Sequence, residues 1–319
     1  MSALNLLITE PDSLSYNAKH ILCEKFNVFQ INKNQPLESS IGEVNGLFVK
    51  LKYKINKKIL DRANRLSFIA TPTTGLNHID LVTCNERKID IISLKGETDF
   101  LNTISATAEH TWGLLLTLMR NTVPAFNSVK NGHWNRNRFI GRELQGQTLG
   151  IIGFGRIGRM LNRYAKAFDM KVIVYECDDS KKVGNTAFVS LPDLLHNSDI
   201  ISINASYSSE NKNLIGRKEI ERVKEGAFLV NTARGELLDE NALLVALANG
   251  KLRGAALDVI DNEVGTGGCF TENHRLIKYS QNHDNLILSP HLGGCTYESM
   301  EKTDVFIATK VCNKYEVFN

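Results

Sequence analysis

Three residues in the last third of the chain have the types needed to move a proton beside a bound acid. Arg234 follows the apolar run AFLV in AFLVNTARGELL, Glu263 closes GAALDVIDNE, and His291 stands in LILSPHLGG between a proline and two glycines. A guanidinium binds a carboxylate through two parallel hydrogen bonds, and an imidazole gives or takes a proton near neutral pH. Arg234 taken alone could equally be a surface ion-pair partner. Upstream, GFGRIG supplies Gly153, Gly155, Arg156, Ile157 and Gly158 between the apolar run LGII and the helical stretch RIGRMLNRYAKAF. The next apolar run, KVIVY, ends at Glu176, 18 residues past Gly158. That is the dinucleotide fingerprint: glycines for a tight turn and close backbone approach, helix amides for the diphosphate, and a carboxylate for the ribose hydroxyls. A carboxylate there repels a 2′-phosphate, so NAD is expected over NADP. An arginine, a glutamate and a histidine at the rim of such a site suggest hydride transfer to a carbonyl beside a carboxylate.

These side chains need elements to position them, and the chain alternates short apolar runs with helical patterns, as parallel α/β units do. Strands are expected at 4–9, 28–31, 47–50, 66–70 and 89–93, with helices at 13–25, 56–63 and 77–87 between them. A long apolar helix is expected at 103–120, followed by a polar, basic stretch at 121–147 with isolated Phe126, Trp134 and Phe139. Those aromatics either anchor on a partner subunit or tuck back on their own domain. Six further strands are expected at 149–152, 171–175, 199–203, 227–230, 254–259 and 286–288. The reading is two doubly wound parallel-sheet domains, one from 1–100 plus 293–319 and an inserted one from 101–292, with the terminal helix packing on the first. Strand ends are where open α/β sheets bind ligands, and the candidate residues sit there.

The composition excludes several alternatives. With 42% apolar and 23% charged residues, a net charge of +3 and 6 prolines, the chain is globular and lacks the one-signed field of a nucleic-acid or anionic-membrane binder. The start MSALNLLITEPDS has no basic n-region, and no apolar stretch approaches the length of a membrane span, so a cytoplasmic protein is expected. Six scattered cysteines without a C-x-x-C pair fit reduced, mostly buried thiols rather than disulfides or a metal site.

Several long segments, in order, resemble the NAD-dependent D-isomer-specific 2-hydroxyacid dehydrogenases: TPTTGLNHIDL, ISATAEHTWGLLLTLMR, GQTLGIIGFGRIGRM, VNTARGELLDENALLVAL, GAALDVIDNE and LSPHLGG. The resemblance implies a flavodoxin-like substrate domain, a Rossmann NAD-binding domain, a homodimer, and a 2-keto or D-2-hydroxy acid as substrate. It implies that Arg234 holds the substrate, that His291 is the acid/base, and that Glu263 pairs with it, since a carboxylate favours the protonated ring. It further implies that Asp258, Thr232 and Ala233 meet the nicotinamide, and that backbone at Lys50, Leu51, Lys52, Thr74 and Gly75 lines the substrate carboxylate. Lys50, Lys52 and Lys54 could read a second anionic group or form a solvated loop.

The departures are Val264 where the family has a proline, with 264–284 expected as a mobile loop, and Asn204–Ser209 in place of the usual His-x-Pro-Leu-Thr-Pro. No regulatory domain is expected after the terminal helix. A second reading is an NAD(H)-sensing binding protein, like the corepressors that share this fold.

Overall fold

The computed structural model describes residues 3–31, 36–263 and 273–315. Contacts divide them into two compact units: the described residues up to Thr103 with those from Cys295 onward, and Ile104–Glu263 with the described residues up to Gly294.

The first unit is a five-stranded sheet of β1 (Asn5–Ile8), β2 (Asn27–Gln30), β3 (Gly46–Phe48), β4 (Phe68–Ala70) and β5 (Asp90–Ile92), in the order β2-β1-β3-β4-β5. Every pairing is parallel, with Leu6, Leu7 and Ile8 opposite Gly46, Leu47 and Phe48. Successive side chains point to opposite faces. Leu6 and Ile8 therefore join Phe68, Ala70 and the terminal helix Tyr297–Lys314 through Ile307, Ala308 and Val311, while Leu7, Leu47 and Ile69 pack on the other face against Ile41, Ile59 and Leu60. The terminal helix thus covers the first sheet, as expected.

The second unit holds β6 (Thr148–Ile152), β7 (Lys171–Tyr175), β8 (Ala187–Phe188), β9 (Ile200–Ile203), β10 (Ala227–Asn231), β11 (Leu252–Leu257) and β12 (Leu286–Leu288), in the order β12-β11-β10-β9-β6-β7-β8. This is the doubly wound arrangement in which strand order reverses between β6 and β9. Ile151 faces the apolar helix Ala106–Met119 through Trp112, Leu115 and Met119, and Ile152 faces Leu194, Ile203 and Leu243 on the opposite side.

Four expectations need correction. The second sheet has seven strands, because the two-residue β8 is too short to carry a periodic signal. The helix expected from 77 begins at Leu81, where Asp80 caps it by accepting from the amide and hydroxyl of Thr83 at 3.1 and 2.8 Å. The stretch after the long helix is not a loop throughout: Thr122–Lys130 is helical with no buried residue, and Phe126 and Trp134 stand 66% and 89% exposed, so they do not tuck back. Among the described cysteines only Cys84 and Cys312 are buried, and Cys23, Cys177 and Cys295 are exposed. The expected mobile loop falls partly outside the described residues, and its described end holds the helix Arg275–Asn282.

Candidate active site

Asp258 stands one residue past β11, 1% exposed, and organises the loop that follows β12. Its carbonyl accepts from the amide of His291 at 2.9 Å, and its carboxylate accepts from the amides of Leu292 at 2.7 Å and Gly293 at 2.8 Å. The hydroxyl of Ser289 donates to the same carboxylate at 2.6 Å, and Nε2 of His110 lies 3.0 Å away. Burial opposes the charge of Asp258, but the hydrogen bonds from His110, Ser289 and Leu292 hold its carboxyl below the usual range. With its carboxylate engaged by four groups, Asp258 anchors this loop. The anchored loop holds His291 at a φ of +55°, a left-handed conformation that costs about 1–3 kcal/mol and persists only where surroundings enforce it.

Nδ1 of His291 lies 2.5 Å from Oε1 of Glu263. An ionised carboxylate only accepts, so Nδ1 carries the proton and Nε2 is the position left to exchange one. Glu263 is aimed by the turn after Asp258. The amide of Ile260 donates to Glu263 Oε2 at 3.3 Å, the amide of Asp261 donates to Glu240 Oε1 at 2.8 Å, and Asn262 has a φ of +58°.

Arg234 follows β10 and is held by Asn231, whose amide donates to the Arg234 carbonyl at 2.9 Å and whose oxygen accepts from the Ala233 amide at 3.0 Å. A Cβ on Gly235 would lie 2.0 Å from the carbonyl carbon of Ile260, so a glycine is what lets the arginine turn abut the glutamate turn. Burial draws the guanidinium pKa down, and Glu263 and Glu236 favour its charge. Among the described residues one of its donors is engaged, by the Ala233 carbonyl at 2.6 Å. The structure thus brings Arg234, Glu263, His291, Asp258 and Thr232 to the C-terminal edge of one sheet.

The glycine turn leaves β6 at the same edge. Gly153 has a φ of +92°, and a Cβ there would meet Ala205 at 2.8 Å; one on Gly158 would meet the Gly153 carbonyl at 2.3 Å, whereas one on Gly155 would meet nothing within 4 Å. The open space over Gly155 and the free amides opening the helix Arg156–Ala167 form a cradle for a diphosphate. Beside it Asn204 keeps a buried Oδ1 with no partner among the described residues. Glu176 caps the turn, accepting from the amides of Phe154 at 2.7 Å and Asp178 at 2.9 Å. Burial opposes its ionisation, yet the two amides and Lys181 outweigh it and hold its carboxyl below the usual range. The Arg156 side chain points away, donating to the Ile104 carbonyl at 2.5 Å, so only its amide can serve the cofactor. These residues fit a bound dinucleotide.

Residues 112–293 match the family described as D-isomer specific 2-hydroxyacid dehydrogenase, NAD binding domain. The chain belongs to the D-isomer-specific 2-hydroxyacid dehydrogenases. As in that family, its cofactor is NAD. It is 33% identical over 315 residues to the D-3-phosphoglycerate dehydrogenase of Methanocaldococcus jannaschii, covering 97% of this chain and 57% of that protein, so it spans little more than half of that relative. It is 35% identical over 277 residues to the glyoxylate reductase of Thermococcus litoralis, covering 83% of this chain and 78% of that one. The D-lactate dehydrogenase of Aquifex aeolicus, solved with NAD and lactic acid, superposes with a TM-score of 0.82 at 29% identity, covering 96% of this chain and 94% of that one. These matches give no support to the corepressor-like alternative.

The remaining expected residues lie in the first unit. Lys50, Leu51 and Lys52 follow β3, and Thr74 and Gly75 follow β4, where Thr73 Oγ1 donates to the Gly75 carbonyl at 2.8 Å. Sequence reasoning missed His110, Ser289 and Glu240. The signal for His110 was present: a histidine within the apolar run of ISATAEHTWGLLLTLMR has to find a buried partner.

Proposed function

We propose that the protein is an oxidoreductase that interconverts a 2-keto acid and the D-2-hydroxy acid using NAD(H). The observation that carries this reading is the Glu263–His291 pair on the loop anchored by Asp258, with Arg234 close enough to feel the charge of Glu263. When bound, NAD(H) would supply the hydride chemistry at the carbon bearing the oxygen. Arg234 binds the carboxylate and the keto oxygen through its free donors. His291 delivers the proton from Nε2 to that oxygen in reduction and takes it back in oxidation, while Glu263 fixes the tautomer and stabilises the imidazolium. Thr232, Ala233 and Asp258 would border the nicotinamide, and backbone at Lys50–Lys52 and Thr74–Gly75 would contribute substrate contacts. Glu176 makes NAD the preferred form of the cofactor.

The exposed Phe126, Val129, Trp134 and Ile140 of one polar segment support a homodimer. Five free cysteines among the described residues support a reducing compartment such as the cytoplasm. Among the described residues no helix is long and apolar enough to cross a membrane.

The test is NADH oxidation, followed by absorbance, across a panel of 2-keto acids with NADPH as control. His291→Gln should lower kcat about 10²–10⁴-fold while the Kd for NADH holds, and Arg234→Ala should lose both affinity for the acid and rate. Full activity in either variant would overturn the assignment.

A further inference from the structure

In the first unit, the order β2-β1-β3-β4-β5 puts the reversal of strand order between β1 and β3. The crossover from β1 packs on one face of the sheet and that from β3 on the other, which opens a crevice at their C-terminal ends, the usual ligand position in such a sheet. Here the crevice is furnished with carboxylates of the chain itself. Glu10, just past β1, presents Oε1 to the amides of Lys50 at 3.0 Å and Lys52 at 3.3 Å, just past β3. The ammonium of Lys50 is held 2.9 Å from Asp304 Oδ2 and also donates to the Ser13 carbonyl. Asp304 is fully buried, its Oδ2 also accepts from the Ser15 amide at 2.9 Å, and its Oδ1 has no partner among the described residues.

The amides of Lys50 and Lys52 therefore already hold a carboxylate, which leaves the backbone of Leu51 between them to meet a substrate, and the part-buried ammonium of Lys50 is neutralised. Lys52 and Lys54 are exposed, Lys52 5.4 Å over the Tyr53 ring, where water and salt screen their charges. The cluster has no buried surplus charge for a second anionic group, which favours the solvated-loop alternative for Lys52 and Lys54.

We propose that the substrate is a short 2-keto acid with a single negative charge, and that Glu10 and Asp304 together exclude acids carrying a phosphate or a second carboxylate. This rests on the reading above, in which the segment after β3 contacts the substrate. The physical cause is charge: a dianion brought to this crevice meets two carboxylates in a low-dielectric setting, with their one buried counter-ion already engaged.

The matched pair hydroxypyruvate and 3-phosphohydroxypyruvate, which differ by the phosphate alone, tests it, with glyoxylate, pyruvate and 2-oxoglutarate alongside. In NADH oxidation, kcat/KM for hydroxypyruvate should exceed that for its phosphorylated counterpart at least tenfold. Glu10→Gln and, separately, Asp304→Asn should each shift that ratio toward the phosphorylated acid about tenfold, with thermal melting used to confirm that each variant folds. A wild-type preference for the phosphorylated acid, or a ratio unmoved in both folded variants, would overturn the exclusion and leave the reductase reading standing. No turnover with any acid would overturn the reductase reading and this inference with it.

Discussion

Asp258 and Asp304 are equally deep, 1% and 0% exposed, yet they hold their protons in opposite ways. Burial pushes the carboxyl of Asp304 up, because Lys50 and the Ser15 amide share one of its oxygens and the other has no partner among the described residues. The carboxyl of Asp258 is held down by His110, Ser289 and backbone amides spread over both oxygens. Depth sets the cost of a charge, and the number of donors decides how far that cost is offset. In the second unit the surviving charge organises a loop. In the first it neutralises a lysine, and burial holds that carboxyl above the usual range.

The largest effect that could break this contrast is Asp258→Ala. It strands His110, the Ser289 hydroxyl and two amides, and should lower unfolding free energy by about 3–5 kcal/mol in urea titration, with kcat falling at least 100-fold. Asp304→Ala should be comparably destabilising because Lys50 is left buried and unpaired. Replacing both members separates the two regions. Lys50→Met with Asp304→Leu should be neutral or stabilising by about 1–4 kcal/mol, whereas His110→Leu with Asp258→Leu should stay destabilised because the Leu292 and Gly293 amides lose their acceptor. Equal behaviour of the two double variants would remove the distinction.

Next in size is Gly153→Ala, strained by its positive φ and by contact with Ala205. A loss of about 1–3 kcal/mol and at least tenfold weaker NADH binding by fluorescence titration are expected.

The pH response sharpens the comparison further. A carboxyl depressed on folding, as in Asp258, contributes stability that is present above its unfolded value near ~3.9 and lost as pH falls through the folded one. A carboxyl raised on folding, as in Asp304 and Glu10, does the reverse, with stability falling as pH rises from the unfolded value through the folded one. Urea midpoints against pH should therefore show the Lys50→Met/Asp304→Leu protein gaining on wild type as pH rises above about 4, and the same midpoints at all pH values would refute the assignment. The smallest expected change is Trp134→Ser, within about ±0.5 kcal/mol of wild type, with weaker self-association by sedimentation.

Much of this architecture is legible in the sequence where one local signal suffices. The apolar runs at Lys171–Tyr175 and Leu286–Leu288 mark their strands to the residue, and the spacing from Gly153 to Glu176 marks the cofactor turn. Arg234, Glu263 and His291 are readable because each follows an apolar run in a distinctive segment. What cannot be read locally is partnership. His110 meets Asp258 across 148 residues, Lys50 meets Asp304 across 254, and Glu240 steadies a turn 21 residues away. Nothing near Lys50 in the chain announces that its charge is already matched.

The first sheet also has a history in time. Its face bearing Leu6, Ile8 and Phe68 is covered by Ile307, Ala308 and Val311. A ribosome adding about 5–20 residues per second reaches that helix roughly 10–50 s after finishing β4, and completes all the strands of the second sheet in the interval. The oldest part of the nascent chain is thus the last to be sealed. Ala18 and Leu22 cover part of that face early, and the rest waits for the terminal helix while a neighbour made later can already fold.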